Sequence, residues 1–184
     1  MEREAEEALI RRAQGGDRDA FADLAEEYWG RIYRWLLKTI RCPHTAEDLT
    51  QDVFLKAWSA LGSFQAGTSF RAWLFRIAGN RFIDTRRGPR GLPVAILPAT
   101  LTSREPGPVG VALAGECQAR IDRAVELLPV DLRAVFLLRV QEGLPFADIA
   151  EMFDITEETA RWRLFKARQM LLNDLGDYLD GAKT

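Results

Sequence analysis

Phe146-Ala-Asp-Ile-Ala-Glu-Met-Phe-Asp-Ile-Thr-Glu-Glu-Thr-Ala-Arg-Trp-Arg-Leu-Phe-Lys-Ala-Arg168 reads as two helices joined by a tight turn. The first helix, Pro145–Asp154, is short, and the turn falls at Asp154–Thr156. Thr156 is a good N-cap for the second helix: Glu157 and Glu158 stand in the first turn and Thr159 three residues on. That helix then runs to about Leu172. This is helix-turn-helix organisation, whose second helix enters the major groove of DNA. At about 100° per residue, Ala160, Leu164, Ala167 and Leu171 fall within about 60° of one another and form a buried stripe. The opposite side carries Glu158, Trp162, Phe165 and Gln169, flanked by Arg161 and Lys166. Arginine and glutamine read base edges, and apolar groups touch the thymine methyl. An exposed face with both Trp162 and Phe165 is unusual unless something covers it. The alternative is that both rings pack on another helix of their own domain, and periodicity leaves the two readings level.

Outward from that motif, apolar residues recur at three- and four-residue spacing along Glu4–Gln14, Ala20–Ile40, Ala46–Leu61 and Ser69–Arg87. Breakers separate these stretches at Gly15-Gly16, Cys42-Pro43 and Gly62 through Gly67. The middle, Gly88–Gly115, contains Pro89, Pro93, Pro98, Pro106 and Pro108 and reads as a linker, with one short apolar piece at Val94–Leu97. From about Glu116 to Leu179 the pattern is helical again. No strand and no repeat is expected.

The chain has 184 residues, 47% hydrophobic and 28% charged, the composition of a soluble globular protein. No apolar run approaches the roughly 18 residues of a membrane span, and the acidic N-terminus does not read as a secretory signal. Cys42 and Cys117 are far apart and lack a Cys-x-x-Cys partner, which suits a reduced, cytoplasmic protein. The formal net charge of −2 hides a segregation. Arg71, Arg76, Arg81, Arg86, Arg87 and Arg90 face a single acid, Asp84, whereas the first thirty residues hold nine acids against four arginines. A local basic patch on a near-neutral chain attracts DNA weakly and calls for a partner.

Two further helices carry candidate faces. In Ala46–Leu61, Leu49, Val53 and Ala57 share the core side, and Asp48, Asp52, Leu55 and Ser59 share another with Gln51 at its edge. A leucine among carboxylates on an outward face suggests a protein interface. A solvated face with one stray leucine is the ordinary alternative. In Ser69–Arg87, Arg76, Asn80 and Arg87 fall within about 40° of each other, with Trp73 and Ile83 at the margins. Phe70, Leu74 and Ile77 form its core side, and Phe75, Phe82 and Arg86 a third strip. Arginines beside aromatics suit single-stranded DNA, because cations neutralise phosphate and rings stack unpaired bases. The preceding loop, Phe64-Gln-Ala-Gly-Thr-Ser-Phe70, is small and polar and can cradle a flipped base. An amphipathic helix with surface arginines is the alternative.

Taken in order, Asp48-Leu-Thr-Gln-Asp-Val-Phe-Leu-Lys-Ala-Trp58, Phe70-Arg-Ala-Trp-Leu-Phe-Arg-Ile-Ala-Gly-Asn80, Leu128-Pro-Val-Asp-Leu-Arg133 and Thr159-Ala-Arg-Trp-Arg-Leu-Phe-Lys-Ala-Arg168 resemble the extracytoplasmic-function group of bacterial sigma factors, within the sigma-70 family. The resemblance spans about Leu9 to Leu175. It implies an all-α fold of two small helical domains: a region 2 bundle at residues 1–88 and a region 4 helix-turn-helix at 116–184, joined by a flexible linker at 89–115. The expected size is that of the minimal members, without long extensions. The resemblance implies core RNA polymerase as partner, through the clamp coiled coil of its largest subunit and its flap, with Asp48, Gln51, Asp52 and Leu55 at the clamp. It also implies promoter DNA, both duplex and melted. The loop Phe64–Phe70 matches the one that captures a flipped minus-ten base. Trp73, Arg76 and Asn80 match the helix that melts and reads that element, and Arg87 shares their face. Arg161, Trp162, Phe165 and Lys166 match recognition-helix positions at the minus-thirty-five element, with Glu158 and Gln169 on the same side. The linker would thread toward the polymerase active-site and RNA-exit channels. An anti-sigma factor is a further implied partner. Trp162 stands where a small residue is common, and Gly79 and Gln65-Ala-Gly also depart from the family pattern.

Rival readings are weaker. A dimeric helix-turn-helix regulator would lack the Asp48–Trp58 helix, and a helical adaptor would lack promoter function. An enzyme would need a site: His44 is the only histidine, Cys42-Pro-His44 is too compressed for a metal, and no phosphate loop or Ser/His/Asp set is present. No catalysis, cofactor, metal, small-molecule substrate or membrane insertion is expected.

Overall fold

The structure is a computed structural model and describes residues 3–65, 67–87 and 109–181. Among them are eight α-helices and no strand: α1 (Arg3–Gln14), α2 (Arg18–Ile40), α3 (Pro43–Ala60), α4 (Phe70–Arg87), α5 (Val109–Leu127), α6 (Val130–Val140), α7 (Phe146–Phe153) and α8 (Glu157–Gly181). A single 3-10 turn, Leu61–Ser63, follows α3. Among the described residues no helix is long and apolar enough to cross a membrane. Most of the expected linker, with Val94–Leu97, lies outside the described residues. Its last part, Val109 onward, is the start of α5.

Local chemistry sets the helix ends. Asp17 caps α2, its carboxylate accepting from the Asp19 and Ala20 amides at 3.0 and 3.1 Å. The Ala20 amide, with Arg12 beside it, holds the Asp17 carboxyl below the usual carboxylate range. The cap is therefore in force at neutral pH and is lost as pH falls through that depressed value. Gly16, at φ 94°, makes the turn ahead of it. At the other end Arg41 takes the left-handed conformation and donates its amide to Leu37 O at 2.7 Å. Pro43 then opens α3, where its missing N–H costs nothing.

The N-terminal module is α1–α4 wrapped around α2, which buries Leu24, Ile32, Trp35, Leu36 and Ile40. Leu49, Val53 and Ala57 of α3 are buried as their spacing predicts. The C-terminal module is α5–α8, and Ala160, Leu164, Ala167 and Leu171 form the buried stripe of α8 as expected. The placement of the modules is the part that the sequence leaves open. Their cores merge into one apolar cluster: α7 lies against α4, and α6 against α2.

Arg133 of α6 shows how tight this junction is. Its guanidinium is buried, and donates to Thr39 O of α2 at 2.8 Å and to Glu126 O of α5. Burial, helped by the neighbouring Arg41, pushes its pKa down to about 10, and Glu126 only partly opposes this. An arginine is stored here as a structural clasp between two backbone carbonyls.

Trp35 is the centrepiece on the α2 side. It meets Phe75 and Phe82 edge-on, at centroid distances of 5.9 and 6.0 Å. Trp35→Ala is expected to cost about 3–5 kcal/mol through the cavity it leaves. Thermal unfolding followed by circular dichroism checks this, and an unchanged midpoint would contradict the packing described.

Candidate nucleic-acid interface

The turn before α8 is built from backbone and cap. Asp154 ends α7 at φ 52°, its amide donating to Ala150 O and Glu151 O. Thr156 then accepts the Thr159 amide at 3.1 Å, and the two hydroxyls lie 2.9 Å apart. The predicted cap is therefore the observed one. It aims the unburied side of α8 at solvent: Glu158, Arg161, Lys166 and Gln169 are exposed, and Trp162 and Phe165 are each 57% exposed. The alternative that both rings pack inside their own domain does not hold. Arg161 pairs with Glu157 at 2.6 Å and stacks 5.1 Å over the Phe146 ring. Its guanidinium is thus held at the start of the helix.

The α4 region differs more from its reading. The resemblance puts the loop from Phe64 to Phe70 at melted DNA; both rings are buried, Phe70 as its place on the core side of α4 predicts. They form an aromatic nest with Tyr28 and Trp73, at centroid distances of 5.3–5.6 Å. Burial and the Glu6 carboxylate it donates to push the Tyr28 hydroxyl above its usual range. Gln14 fastens the loop from α1, donating to Leu61 O at 3.1 Å and Phe64 O at 2.9 Å. The physical reason is simple: large rings at the two ends of a short loop bury each other more readily than they face water. What the loop exposes is its polar rim, Gln65, Thr68 and Ser69, with position 66 outside the described residues. Trp73 is half-buried, and a cavity beside it is lined by Gln65, Ser69, Trp73, Arg76 and Asp148. Phe75 and Phe82, the expected third strip, are core. Asn80 is exposed. Arg76 reaches Glu151 of α7 at 2.6 Å. The Arg87 side chain lies outside the described residues.

On α3 the outward face is as read, with one addition. Asp48, Gln51 and Leu55 are exposed, Leu55 at 68%. His44 lies 3.1 Å from Asp48. Asp52 is already engaged by Arg81 of α4 at 2.6 Å. That pair joins residues far apart in sequence, so helical periodicity carries no signal for it.

Comparison with known proteins agrees with this arrangement. Residues 16–90 match the family Sigma-70 region 2, and residues 118–171 match Sigma-70, region 4. The chain is 31% identical to an ECF RNA polymerase sigma-E factor of Haemophilus influenzae over 180 residues, 92% of this chain and 95% of that one. It belongs to the extracytoplasmic-function RNA polymerase sigma factors. A second relative of this sigma factor, the RNA polymerase sigma-H factor of Pseudomonas aeruginosa, is 30% identical over 181 residues, 93% of this chain and 94% of that one. Among solved structures, the sigma factor RpoE of Bartonella quintana, in complex with the anti-sigma factor NepR, matches with TM-score 0.63 and 25% identity. That match covers 85% of this chain and 96% of that one. CnrH, in complex with the cytosolic domain of CnrY, shares the fold with TM-score 0.64 and 24% identity, over 94% and 98% of the two chains. The function of the chain is accordingly that of a sigma factor: promoter recognition in transcription initiation.

Thr156→Ala and Trp162→Ala separate cap from surface. The first is expected to lower stability by about 1 kcal/mol, as loss of an N-cap does. The second should stay within about 0.5 kcal/mol of the parent, as for other surface changes. Urea titrations of both variants check this, and a larger loss for Trp162→Ala would mean the ring is structural.

Proposed function

We propose that this sigma factor divides its work among three faces. The outward side of α3, with Asp48, Gln51, Asp52 and Leu55, docks on the clamp coiled coil of core RNA polymerase. The outward side of α8, with Arg161, Trp162, Phe165, Lys166 and Gln169 and with Glu158 at its start, enters the major groove upstream, at the minus-thirty-five element. Trp73, Arg76, Asn80 and Arg87 on α4, with the polar rim of the Phe64–Phe70 loop, hold the melted minus-ten strand. The module boundaries that go with this reading are 1–88 and 116–184. The C-terminal module also meets the polymerase flap.

The observation that carries the reading is the simultaneous exposure of two unlike apolar groups: Leu55 among carboxylates, and Trp162 with Phe165 among basic residues. The first suits a protein surface and the second a DNA groove. The buried state of Phe64 and Phe70 shifts the stacking role toward Trp73, and gives the two phenylalanines the task of shaping the loop. Opening promoter DNA costs about 1.4 kcal/mol per stacked step. Stacking on one ring returns about 1–3 kcal/mol, so a single tryptophan with phosphate contacts offsets one or two steps, and polymerase must supply the rest.

No bond is made or broken by the chain itself in this scheme, and the reading calls for no cofactor. It places the protein in the cytoplasm, where polymerase is. The anti-sigma partner named for the Bartonella quintana relative supports a protein inhibitor of the same class here.

In-vitro transcription with core polymerase and a promoter library tests the assignment. The parent chain should yield defined start sites, and no core binding with no start site would defeat the reading. Leu55→Arg, at an exposed position, should abolish core binding while leaving the melting curve unchanged; retained binding would remove α3 as the docking face. Trp162→Ala should change the upstream sequence selected from the library and leave the downstream element alone.

A further inference from the structure

We infer that α7 and unwound promoter DNA compete for one surface on α4, and that Gly79 is the residue that lets α7 occupy it. The inference rests on the strand-holding role proposed above for α4. It goes beyond that role by assigning the free chain a closed form.

Gly79 lies in the middle of α4, where glycine weakens a helix. A Cβ placed there would stand 2.1 Å from Met152 Cγ and 2.4 Å from Met152 Sδ. Real atoms do not approach so closely, so Met152 is seated on bare backbone. It is buried in that seat. One turn on, Phe82 of α4 meets Phe153 of α7 edge-on at 6.5 Å. The apolar contact is framed by ion pairs of one polarity. Arg76 and Arg86 of α4 are held by Glu151 and Asp131 of the C-terminal module. Asp148 lines the cavity between Trp73 and Arg76. Three carboxylates thus stand in front of the basic side of α4, where strand phosphates would stand. While α7 is in place, a strand approaching Arg76 and the cavity beside Trp73 meets carboxylates where it needs cations.

The lock is of a strength that can be opened. The arginine–carboxylate pairs are about half exposed and are screened by salt. The Met152 seat is buried and carries no charge, so salt does not screen it. Further contacts, Arg31 with Glu142 at 2.9 Å and Lys38 with Asp122 at 3.1 Å, close the α2 side in the same sense, cation on the N-terminal module and acid on the other. A partner that separates the modules therefore exposes the strand-holding face as a consequence.

The same geometry supplies the test. The Cβ built at Gly79 lies 3.6 Å from Met152 Cβ, inside the range of about 3.5–4.5 Å that a disulfide requires. The full chain is prepared with Gly79→Cys and Met152→Cys, on a background of Cys42→Ser and Cys117→Ser. On oxidation, non-reducing electrophoresis and mass spectrometry should show the bond forming in the free protein. The oxidised chain should then bind a random-sequence fluorescent single-stranded oligonucleotide about tenfold or more weakly than the same chain after dithiothreitol, because its competent fraction is removed. Promoter-dependent transcription should follow the same on–off pattern. Gly79→Ala, which disturbs the seat without harming the helix, should bind the oligonucleotide more tightly than the parent.

Failure of the disulfide to form would overturn the closed state. Equal oligonucleotide binding by oxidised and reduced chains would overturn the competition. If the reduced chain and the parent both bind oligonucleotide yet give no transcript with core polymerase, the promoter reading fails and the competition for α4 stands.

Discussion

Met152 resting on the backbone of Gly79 is the contact around which the rest of this structure is arranged. It brings α7 within reach of Phe82, and so lets a helix of eight residues share the core of the larger module. A helix that short has little apolar surface of its own, and small modules bury too little to be strongly stable alone. Ile149 and Ala150 of the same helix are buried as well, and α7 packs on α8 and α6 besides α4, so it links the two cores. Arg133 repeats the device on the α2 side, with hydrogen bonds in place of a thioether.

This junction explains which sequence patterns translate directly into structure. Helices with one buried side, α3 and α8, have their Leu49–Val53–Ala57 and Ala160–Leu164–Ala167–Leu171 stripes where the 3.6-residue period puts them. The Thr156 cap is local chemistry and is equally legible. Helix α4 is packed on both α2 and α7, so its apolar residues spread around most of its circumference. A single-face reading then sets Phe75 and Phe82 apart from the core side in a third strip, although both are core. The burial of Phe64 is hidden from spacing for a related reason: the nest that holds it with Phe70 is completed by Tyr28, far away in the chain. The Asp52–Arg81 and Arg76–Glu151 pairs are likewise products of tertiary approach, invisible to spacing. Gly79 is visible as a departure from the family pattern, and its meaning appears only when Met152 is seen against it.

The charge distribution acquires a purpose in the same way. A chain of net charge −2 with a cluster of arginines looks poorly suited to holding DNA. In the folded chain, Arg76 and Arg86 on α4 are answered by acids from the other module, and Arg81 by Asp52. Under the proposed competition, affinity for nucleic acid follows the arrangement of the modules rather than composition. The face of α8 is different. Trp162 and Phe165 remain open to solvent in the closed chain, so the duplex reading proposed for them calls for no such release.

Small-angle X-ray scattering on the free full-length chain decides whether the two modules are docked, because a shared core makes a single compact body. The expected radius of gyration is near the ~16 Å of a compact chain of this length, with one maximum in the pair-distance distribution. A clearly larger radius with two maxima, the signature of modules held apart, would show that the free chain is not closed.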